Sequence, residues 1–477
     1  MNKETRIQKI QAIIDRDKSN PFGKIEIPWE DSLITKEVYK IPLEYLVYNK
    51  YNGRILSRTQ SLEKQNHVID VESENGKKEI EELLWDSNEQ RNKTTKTSIH
   101  DYGQQKVGII TKDGIIIDGN RRAMLLNRDK KYDYFKAVVL DVTLDENPLE
   151  IEKLETKFQM GEDEKVGYNA TEKYIKSKLL YKKLTSQVYS SNTEKHTPNF
   201  KVIEEIALWM GEDKSEVIKF LDTMEVMDEY LEFLEYDGIY TQLDKREDQF
   251  LSLTKWIKTY YDAESKKGFD GYRNDDVDDL KAISFDYIRA KYEGKEFRII
   301  AEGQRPNHFF GDKDIWRSFV KYHNERINKI EEAEIDYNST NLNRHLDDRD
   351  SKFIENTKLN GKTSFFEDNI NTHKEKLGYN RASDEPLKLT SKGLDVLGAI
   401  KTGHKSFATK EVQDQVEAIA NKAFDMLQKK SPLLILNHAI NQLEAVKGKQ
   451  ISSTEIEEVK LKLKTIQRIC YDLNRDL

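Results

Sequence analysis

Strand-forming residues are confined to one short part of this 477-residue chain. Short β-like runs lie between residues 39 and 142, whereas apolar residues beyond Asn147-Pro148 recur at helical spacing. The chain has only 22 glycines and 8 prolines, so few residues interrupt the helices. This segregation predicts an α+β fold, with a small mixed α/β domain near the amino terminus followed by predominantly α-helical domains.

The pattern divides the chain into five segments. Residues 1–38 are predicted to form a helical leader, because Ile7, Ile10 and Ile14 have helical spacing before Pro21 and Pro28 break it. The mixed α/β domain follows over 39–150, and a helical domain with a helix-turn-helix covers 151–260. A mixed, mostly helical region of unknown role covers 261–410, and a helical bundle over 411–477 ends the chain.

A polar turn joins a predicted hairpin to a predicted helix. The hairpin turns at Lys112-Asp113-Gly114, and its second strand leads into Asp118-Gly119-Asn120-Arg121-Arg122. A glycine here lets the backbone approach a ligand, helix-terminal amides attract an anion, and arginines add forked cationic donors. The turn therefore predicts a phosphate site. The alternative is an exposed helix cap whose arginines pair with nearby carboxylates.

The order of elements around this turn resembles the ParB/sulfiredoxin-like superfamily, whose ParB members carry a Gly-x-Arg-Arg turn after a β-hairpin. Residues 41–46 followed by Asn52-Gly53-Arg54 resemble the first strand of that family and its turn, and residues 98–103 resemble its Ser-Ile-x-x-x-Gly step. The sulfiredoxin reaction needs a cysteine in the turn, and the one cysteine of this chain is Cys470. The resemblance is therefore to the ParB type of nucleotide-binding domain.

The resemblance implies a nucleoside triphosphate, CTP or ATP, and Mg²⁺ as ligands. The residues that it places around the nucleotide are Arg54, Gly103, Asp118, Gly119, Asn120, Arg121 and Arg122. Residues 155–159 occupy the place of the family's Glu-Asn-x-x-Arg box, so Glu155, with Thr156, is expected to hold Mg²⁺. Glu155 and Arg122 are the expected catalytic residues of a slow hydrolysis. Gln159 replaces the arginine of the box, which removes a charge-assisted phosphate contact.

A second motif has helix-turn-helix spacing, from Ile203 through Gly211 to Phe220. Residues 201–240 contain 3 lysines and 12 acidic residues, and the resulting negative net charge repels DNA. The candidate DNA-binding lysines lie on this pair and on the helix before it: Lys173, Lys176, Lys182, Lys183, Lys214 and Lys219. Their alternative role is a solvated face beside an acidic neighbour.

Composition excludes several other classes. The net charge of −8 is not that of a chain that coats nucleic acid by charge alone, and one cysteine rules out multi-cysteine metal sites. No signal peptide or long apolar run is present, so a cytoplasmic location and no membrane contact are expected. His323-Asn324 matches a fragment of a His-Asn-His nuclease core without its partners, so a surface pair is expected.

The expected function is that of a ParB-like protein, of the kind used in plasmid partition, whose grip on DNA depends on bound nucleotide. One alternative is a nuclease or NTPase component of a DNA restriction, modification or phage-defence system, with residues 261–410 as effector. Another is an interaction scaffold that has lost its nucleotide. A homodimer formed through the carboxy-terminal helices and a partner protein from a neighbouring gene are further expectations.

Overall fold

The chain folds as two compact units, residues 1–381 and 382–477. A computed structural model describes residues 1–160, 170–192, 197–261, 267–292, 295–337, 339, 341–428, 431–447 and 449–477. Within these ranges no helix is long and apolar enough to cross a membrane. The predicted boundaries at 150, 260 and 410 stay predictions.

One five-stranded sheet lies in the first unit. Its strands are β1 (Gly23–Trp29), β2 (Ser32–Pro42), β3 (Gly108–Ile110), β4 (Ile116–Asp118) and β5 (Tyr134–Val139). The spatial order is β1-β2-β5-β3-β4, in which β3 and β5 are parallel and the other neighbours antiparallel. The predicted hairpin is confirmed as β3 and β4, and Gly114 takes a positive φ of 83° in its turn.

The remaining elements of both units are helical. Those of the first unit are α1 (Lys3–Asp17), α2 (Leu56–Lys64), α3 (Glu74–Asp86), α4 (Glu89–Tyr102), α5 (Asn120–Asp129), α6 (Pro148–Met160), α7 (Ala170–Thr185), α8 (Phe200–Met210), α9 (Lys214–Phe233), α10 (Glu247–Lys255), α11 (Asn274–Arg289), α12 (Lys313–Ile327), α13 (Leu342–Thr357) and α14 (Phe365–Arg381). Those of the second are α15 (Pro386–Gly398), α16 (Lys410–Gln428), α17 (Pro432–Val446) and α18 (Ile456–Asp476). The predicted α+β class is confirmed.

The prediction of a helical leader over 1–38 is wrong in its second half. Helix α1 ends at Asp17, and β1 and most of β2 follow before residue 39. Pro28 does not end the strand because β1 lies at the edge of the sheet. Proline lacks an N–H, and on an edge strand the sheet can do without a hydrogen bond from that position. The β-like run at 45–48 is also not a strand, since only Val47 forms an isolated bridge, to Ile115.

Alternate residues of the central strands feed two hydrophobic cores. Ile110 and Ile116 point to a core shared with α1, α3 and α5, whereas Ile109 and Ile117 point to a smaller core covered by α6. A third and larger core is built from helices between 170 and 377, and Leu56 at the start of α2 belongs to it. Helix α2 therefore joins the sheet region to the helical region.

A buried carboxylate reinforces this joint. Glu172 of α7 accepts hydrogen bonds from the backbone N–H of Ser57, at 3.0 Å, and from the Ser57 hydroxyl, at 2.6 Å. These contacts satisfy donors in the first turn of α2. Burial raises the pKa of Glu172 to about 7, despite the bonds from Ser57, which act in the opposite direction.

The second unit buries little of its apolar surface. Its helices match the three predicted amphipathic helices and add α15, and the Phe424 ring of α16 lies 5.5 Å from the His438 ring of α17, between centroids. Beyond Ala382, no residue that the structure describes is buried. The predicted helical bundle over 411–477 stays a prediction.

The raised pKa of Glu172 predicts a pH-dependent stability. Because the folded-state pKa lies above that of an unfolded glutamate, the folded chain holds the extra proton between the two values, and stability falls as pH rises through about 4.5 to 7. Glu172→Gln is expected to reduce the fall in melting temperature between about pH 5 and pH 8. Thermal denaturation monitored by circular dichroism measures this, with the exposed Glu375→Gln as control. An unchanged pH profile in Glu172→Gln would contradict the assignment.

Candidate anion-binding site

A cavity of about 380 Å³ opens between the end of β4, helix α4 and the segment that precedes α2. Its lining is mostly polar and consists of Asn52, Arg54, Arg91, Thr95, Ser98, Ile99, Gly103, Gln104, Gln105, Lys106, Asp118, Gly119, Asn120, Arg121 and Arg122. All seven residues predicted to surround a nucleotide are therefore brought together in one cavity.

The sharp turn into α5 depends on Gly119. This residue precedes the helix with a φ of 107°, a conformation that side chains rarely adopt, and a Cβ atom there would lie 2.7 Å from the Phe135 ring. No side chain caps the helix, and residues on both sides of its first turn line the cavity. The positive end of the helix dipole therefore faces the cavity.

Positive charge dominates the lining. Four arginines and Lys106 line the cavity, and Asp118 is the one carboxylate among the lining residues. Arg121 is held by neutral partners in the described part of the chain: its Nε donates to Asn92 Oδ1 at 2.5 Å and its Nη2 to Thr95 Oγ1 at 3.0 Å. Burial, followed by repulsion from Arg54, Arg91 and Arg122, lowers the pKa of Arg121 to about 10. Among the residues that the structure describes, none is a counter-ion to this guanidinium, so an anion in the cavity would stabilise it.

Arg122 is placed differently from its neighbour. Its Nη2 donates to Asp118 Oδ2 at 2.6 Å and to the carbonyl of Val107 at 3.3 Å. Its buried Nε has no hydrogen-bond partner among the described residues. The alternative prediction is that both arginines pair with carboxylates. It holds for Arg122, which pairs with Asp118, and not for Arg121, whose described partners are neutral.

Asn120 and Gly103 shape the cavity without offering it a functional side chain. The Asn120 side chain accepts from the Asn49 N–H at 2.9 Å and donates to the Ile116 carbonyl at 3.0 Å, so its polar atoms serve the turn. Gly103 ends α4 with a φ of 68°, and the Tyr132 ring lies 3.4 Å from where a Cβ would be. The backbone after α4 can therefore approach a ligand closely.

Sequence reasoning identified Ser98 at the end of α4, within residues 98–103, but missed Arg91, Asn92 and Thr95 of the same helix. Arg91, Thr95 and Ser98 lie on one face of this helix and line the cavity, and Asn92 holds Arg121. Their spacing of four and three residues, immediately before the glycine at 103, is a signal that could have identified them.

Glu155 and Thr156 lie outside this cavity. Glu155 is buried on α6 and lines a second cavity of about 720 Å³ together with Lys176 and Lys183. It receives a hydrogen bond from Asn49 Nδ2 at 3.3 Å, and the Thr156 hydroxyl donates to the Glu152 carbonyl at 2.8 Å. The predicted metal ligands are therefore separated from the Gly119 turn, and the side chain of Gln159 lies outside the described residues.

One backbone segment borders both cavities. Asn52 and Arg54 line the first cavity, whereas Asn49 and Tyr51 line the second. Asn49 also bonds to Asn120 and to Glu155. Residues 49–54 therefore form the wall between the two cavities.

Most of the lysines predicted to bind DNA are paired with carboxylates. The pairs are Lys173 with Glu212 at 2.5 Å, Lys176 with Glu152 at 2.7 Å, Lys183 with Glu152, Lys214 with Glu204 at 2.5 Å, and Lys219 with Glu216 at 3.3 Å. Lys182 is exposed and has no ion pair within the described ranges. The structure does not gather the six lysines into one unpaired basic surface, and their role in DNA binding stays a prediction.

The expected surface position of His323 is wrong. This residue is 1% exposed, and its Nε2 lies 2.9 Å from Asp286 Oδ2. It belongs to the aromatic core around Tyr287 and Phe365, which supplies the apolar neighbours that sequence alone could not locate.

Replacement of Gly119 tests the steric constraint on the turn. Gly119→Ala is expected to lower the free energy of unfolding by about 2 to 4 kcal/mol, because positive-φ strain adds to the clash with Phe135. Gly271→Ala is the matched control, since Gly271 has a φ of 77° with open space around it, and about 1 to 2 kcal/mol is expected there. Urea denaturation measures both, and equal losses would argue against the contact with Phe135.

Comparison with known proteins adds one distant similarity. No family model matches the sequence, and no curated protein is similar to it. Among solved structures, the chain is similar to the C2221 form of a Pnob8-like ParB-N domain, with a TM-score of 0.32 and 9% identity over 60% of this chain and 97% of that one. Membership of the ParB/sulfiredoxin-like superfamily therefore stays a resemblance.

Proposed function

We propose that the chain binds a nucleoside triphosphate in the arginine-lined cavity and that the bound nucleotide controls its grip on DNA. The observation that carries the proposal is Arg121, a half-buried guanidinium held by neutral side chains beside three other arginines. Such an arrangement raises the free energy of the empty cavity, and a multivalent anion lowers it.

The arginines are suited to phosphate because of their geometry. A guanidinium group donates two parallel hydrogen bonds to phosphate oxygens, and charge-assisted bonds of this kind are about twice as strong as neutral ones. Asn92 and Thr95 fix the side chain of Arg121 before any ligand arrives. Less conformational entropy is then lost on binding.

The cavity has room for more than phosphate. A volume of about 380 Å³ lies within the range of small-molecule sites. Ser98 and the backbone near Gly103 line it together with the phosphate turn. We propose that they contact the base, because the Ser-Ile-x-x-x-Gly step that residues 98–103 resemble lines the base side of the nucleotide in ParB proteins.

Binding is better supported than hydrolysis. The one carboxylate among the lining residues, Asp118, is paired with Arg122, and Glu155 lies in the second cavity. A general base within reach of an attacking water is therefore not offered by the described lining. The catalytic roles of Glu155 and Arg122 stay predictions.

Helix α2 offers a route from the cavity to the helical region. Arg54 lies two residues before α2, and the helix is tied to the helical region by Glu172 at Ser57 and by an ion pair of 3.7 Å between Arg58 and Asp244. The Thr241 N–H also donates to Ser61 Oγ at 3.2 Å. We propose that Arg54 moves toward a bound phosphate and that α2 transmits this movement to the helical region.

The DNA-binding part of the proposal is supported by the geometry of the helix pair and not by its charge, since residues 201–240 carry 3 lysines and 12 acidic residues. Helices α8 and α9 meet at Gly211, which takes the left-handed conformation of a helix-turn-helix glycine, with a φ of 67°. Lys182 on the neighbouring α7 is exposed.

A nuclease is the competing proposal, and intact plasmid after incubation with Mg²⁺ or Mn²⁺ would count against it.

Removing the charge of Arg121 tests the nucleotide site. Arg121→Met is expected to weaken nucleotide binding by about ten-fold or more, because it removes charge-assisted bonds. Isothermal titration with CTP, ATP, GTP and inorganic triphosphate measures this. Arg128→Met is the matched control, since Arg128 lies on the same helix but packs over Trp85. Failure of the wild-type chain to bind any of the four would leave the scaffold alternative.

A variant at α2 tests the link to DNA. We expect nucleotide to change the DNA affinity of the wild-type chain by about five-fold or more. Arg58→Ala should reduce that change while nucleotide affinity is kept, because it removes the contact with Asp244 and not the cavity lining. Lys24→Ala, which breaks a sheet-edge ion pair with Glu37, is the control. Fluorescence anisotropy with labelled DNA measures both, and a nucleotide-independent DNA affinity would contradict the coupling.

A further inference from the structure

The residues at the predicted magnesium site do not fit a divalent cation. The resemblance gives Glu155 and Thr156 to Mg²⁺, but the Thr156 hydroxyl donates to Glu152 and the Glu155 carboxylate receives Asn49 Nδ2. The described residues contain no group of three or more His, Cys, Asp or Glu side chains that could hold a metal ion. Mg²⁺ is usually bound through one or two carboxylates together with waters and phosphate oxygens, and the carboxylates at this place already accept hydrogen bonds from the Asn49 amide and the Lys176 ammonium.

A lysine already supplies positive charge at this place. Lys176 of α7 is 4% exposed, and its Nζ lies 2.7 Å from Glu152 Oε1. Glu152, Glu155 and Lys176 line the same cavity, so the ammonium lies in the place where a cation would meet both carboxylates.

The carboxylate of Glu152 is also fully engaged in ion pairs. Oε1 of Glu152 pairs with Lys176 at 2.7 Å, and Oε2 pairs with Lys183. A divalent cation that approached Glu155 or Glu152 would meet two ammonium groups at close range. Like charges in a buried site repel strongly because the surroundings screen them little.

We infer that Lys176 is a tethered counter-ion that takes the place of a divalent cation between Glu152 and Glu155, and that the arginine-lined cavity binds its polyphosphate without a metal. The second half of this inference rests on the proposed function, whereas the first half does not. The charge that a triphosphate needs is supplied by the cations that line the cavity.

A preference for the metal-free anion follows. A triphosphate complexed with Mg²⁺ carries two fewer negative charges than the free ion, so its attraction to the arginines is weaker. The site is therefore expected to select the free polyphosphate, in contrast to a site that uses the metal as a bridge.

Manganese binding tests the first half in the full-length chain and needs no nucleotide. Electron paramagnetic resonance should detect no tightly bound Mn²⁺ in the wild-type chain. About one Mn²⁺ per chain, lost in Glu155→Gln, would overturn the inference. Lys176→Met is the complementary variant, since it keeps the length of the side chain and removes the charge. Mg²⁺ should raise its melting temperature and not that of the wild type, and the absence of such a rise would also overturn it.

Nucleotide affinity in EDTA tests the second half. The wild-type affinity for CTP, ATP or GTP should be equal or higher in EDTA than in Mg²⁺, and Glu155→Gln should change it by less than about two-fold. A loss of about ten-fold or more in EDTA, or in Glu155→Gln, would overturn metal-free binding. If no nucleotide binds in either buffer, the proposed function fails, and the manganese experiment still decides the role of Lys176.

Discussion

The absence of a side chain at Gly119, where a Cβ atom would lie 2.7 Å from the Phe135 ring, determines the geometry on which the candidate site depends. It allows the chain to leave β4 and start α5 in one step, with a φ that only glycine adopts without strain. Arg121 and Arg122 consequently begin a helix at the edge of the sheet and reach the same cavity. The two arginines differ in their partners. Arg122 stabilises the turn through its ion pair with Asp118, whereas the described partners of Arg121 are neutral, so its positive charge is available to an anion.

The sequence was informative where local chemistry decides local structure. The hairpin before residue 118, the helix that starts at Asn120 and the glycine turn at 211 were predicted from turn residues and spacing, and the structure contains each of them. The hairpin of β1 and β2 is not predicted, because Pro28 indicates the end of a helix more strongly than the short alternation from Lys24 to Ile27 indicates a strand. Edge position, which makes proline tolerable, is a property of the sheet and not of the local sequence.

The candidate site was predictable only in part, for a similar reason. The turn residues and Gly103 are recognisable because each needs a special backbone or a particular charge. The place of Arg91 and Thr95 depends on how α4 packs on α5, and that of Glu155 depends on how α6 covers the other face of the sheet. The pairing of lysines is also set by the fold. With 78 basic and 86 acidic residues, ion pairs are common, so a neutral set of neighbours around a half-buried arginine carries more information than any local count of charge.

The segment 49–54 places two cavities on opposite sides of a single stretch of backbone. Because Tyr51 and Asn52 are adjacent in the chain, a movement of this backbone that displaced Arg54 in the first cavity is expected to displace Tyr51 and Asn49 in the second. If the two cavities are coupled in this way, a ligand of the second cavity, between α6 and α7, changes the affinity of the arginines for an anion by some factor. Thermodynamic reciprocity requires that the anion change the affinity of the second cavity for its ligand by the same factor. One short segment of backbone would then link the ligands of two separate cavities.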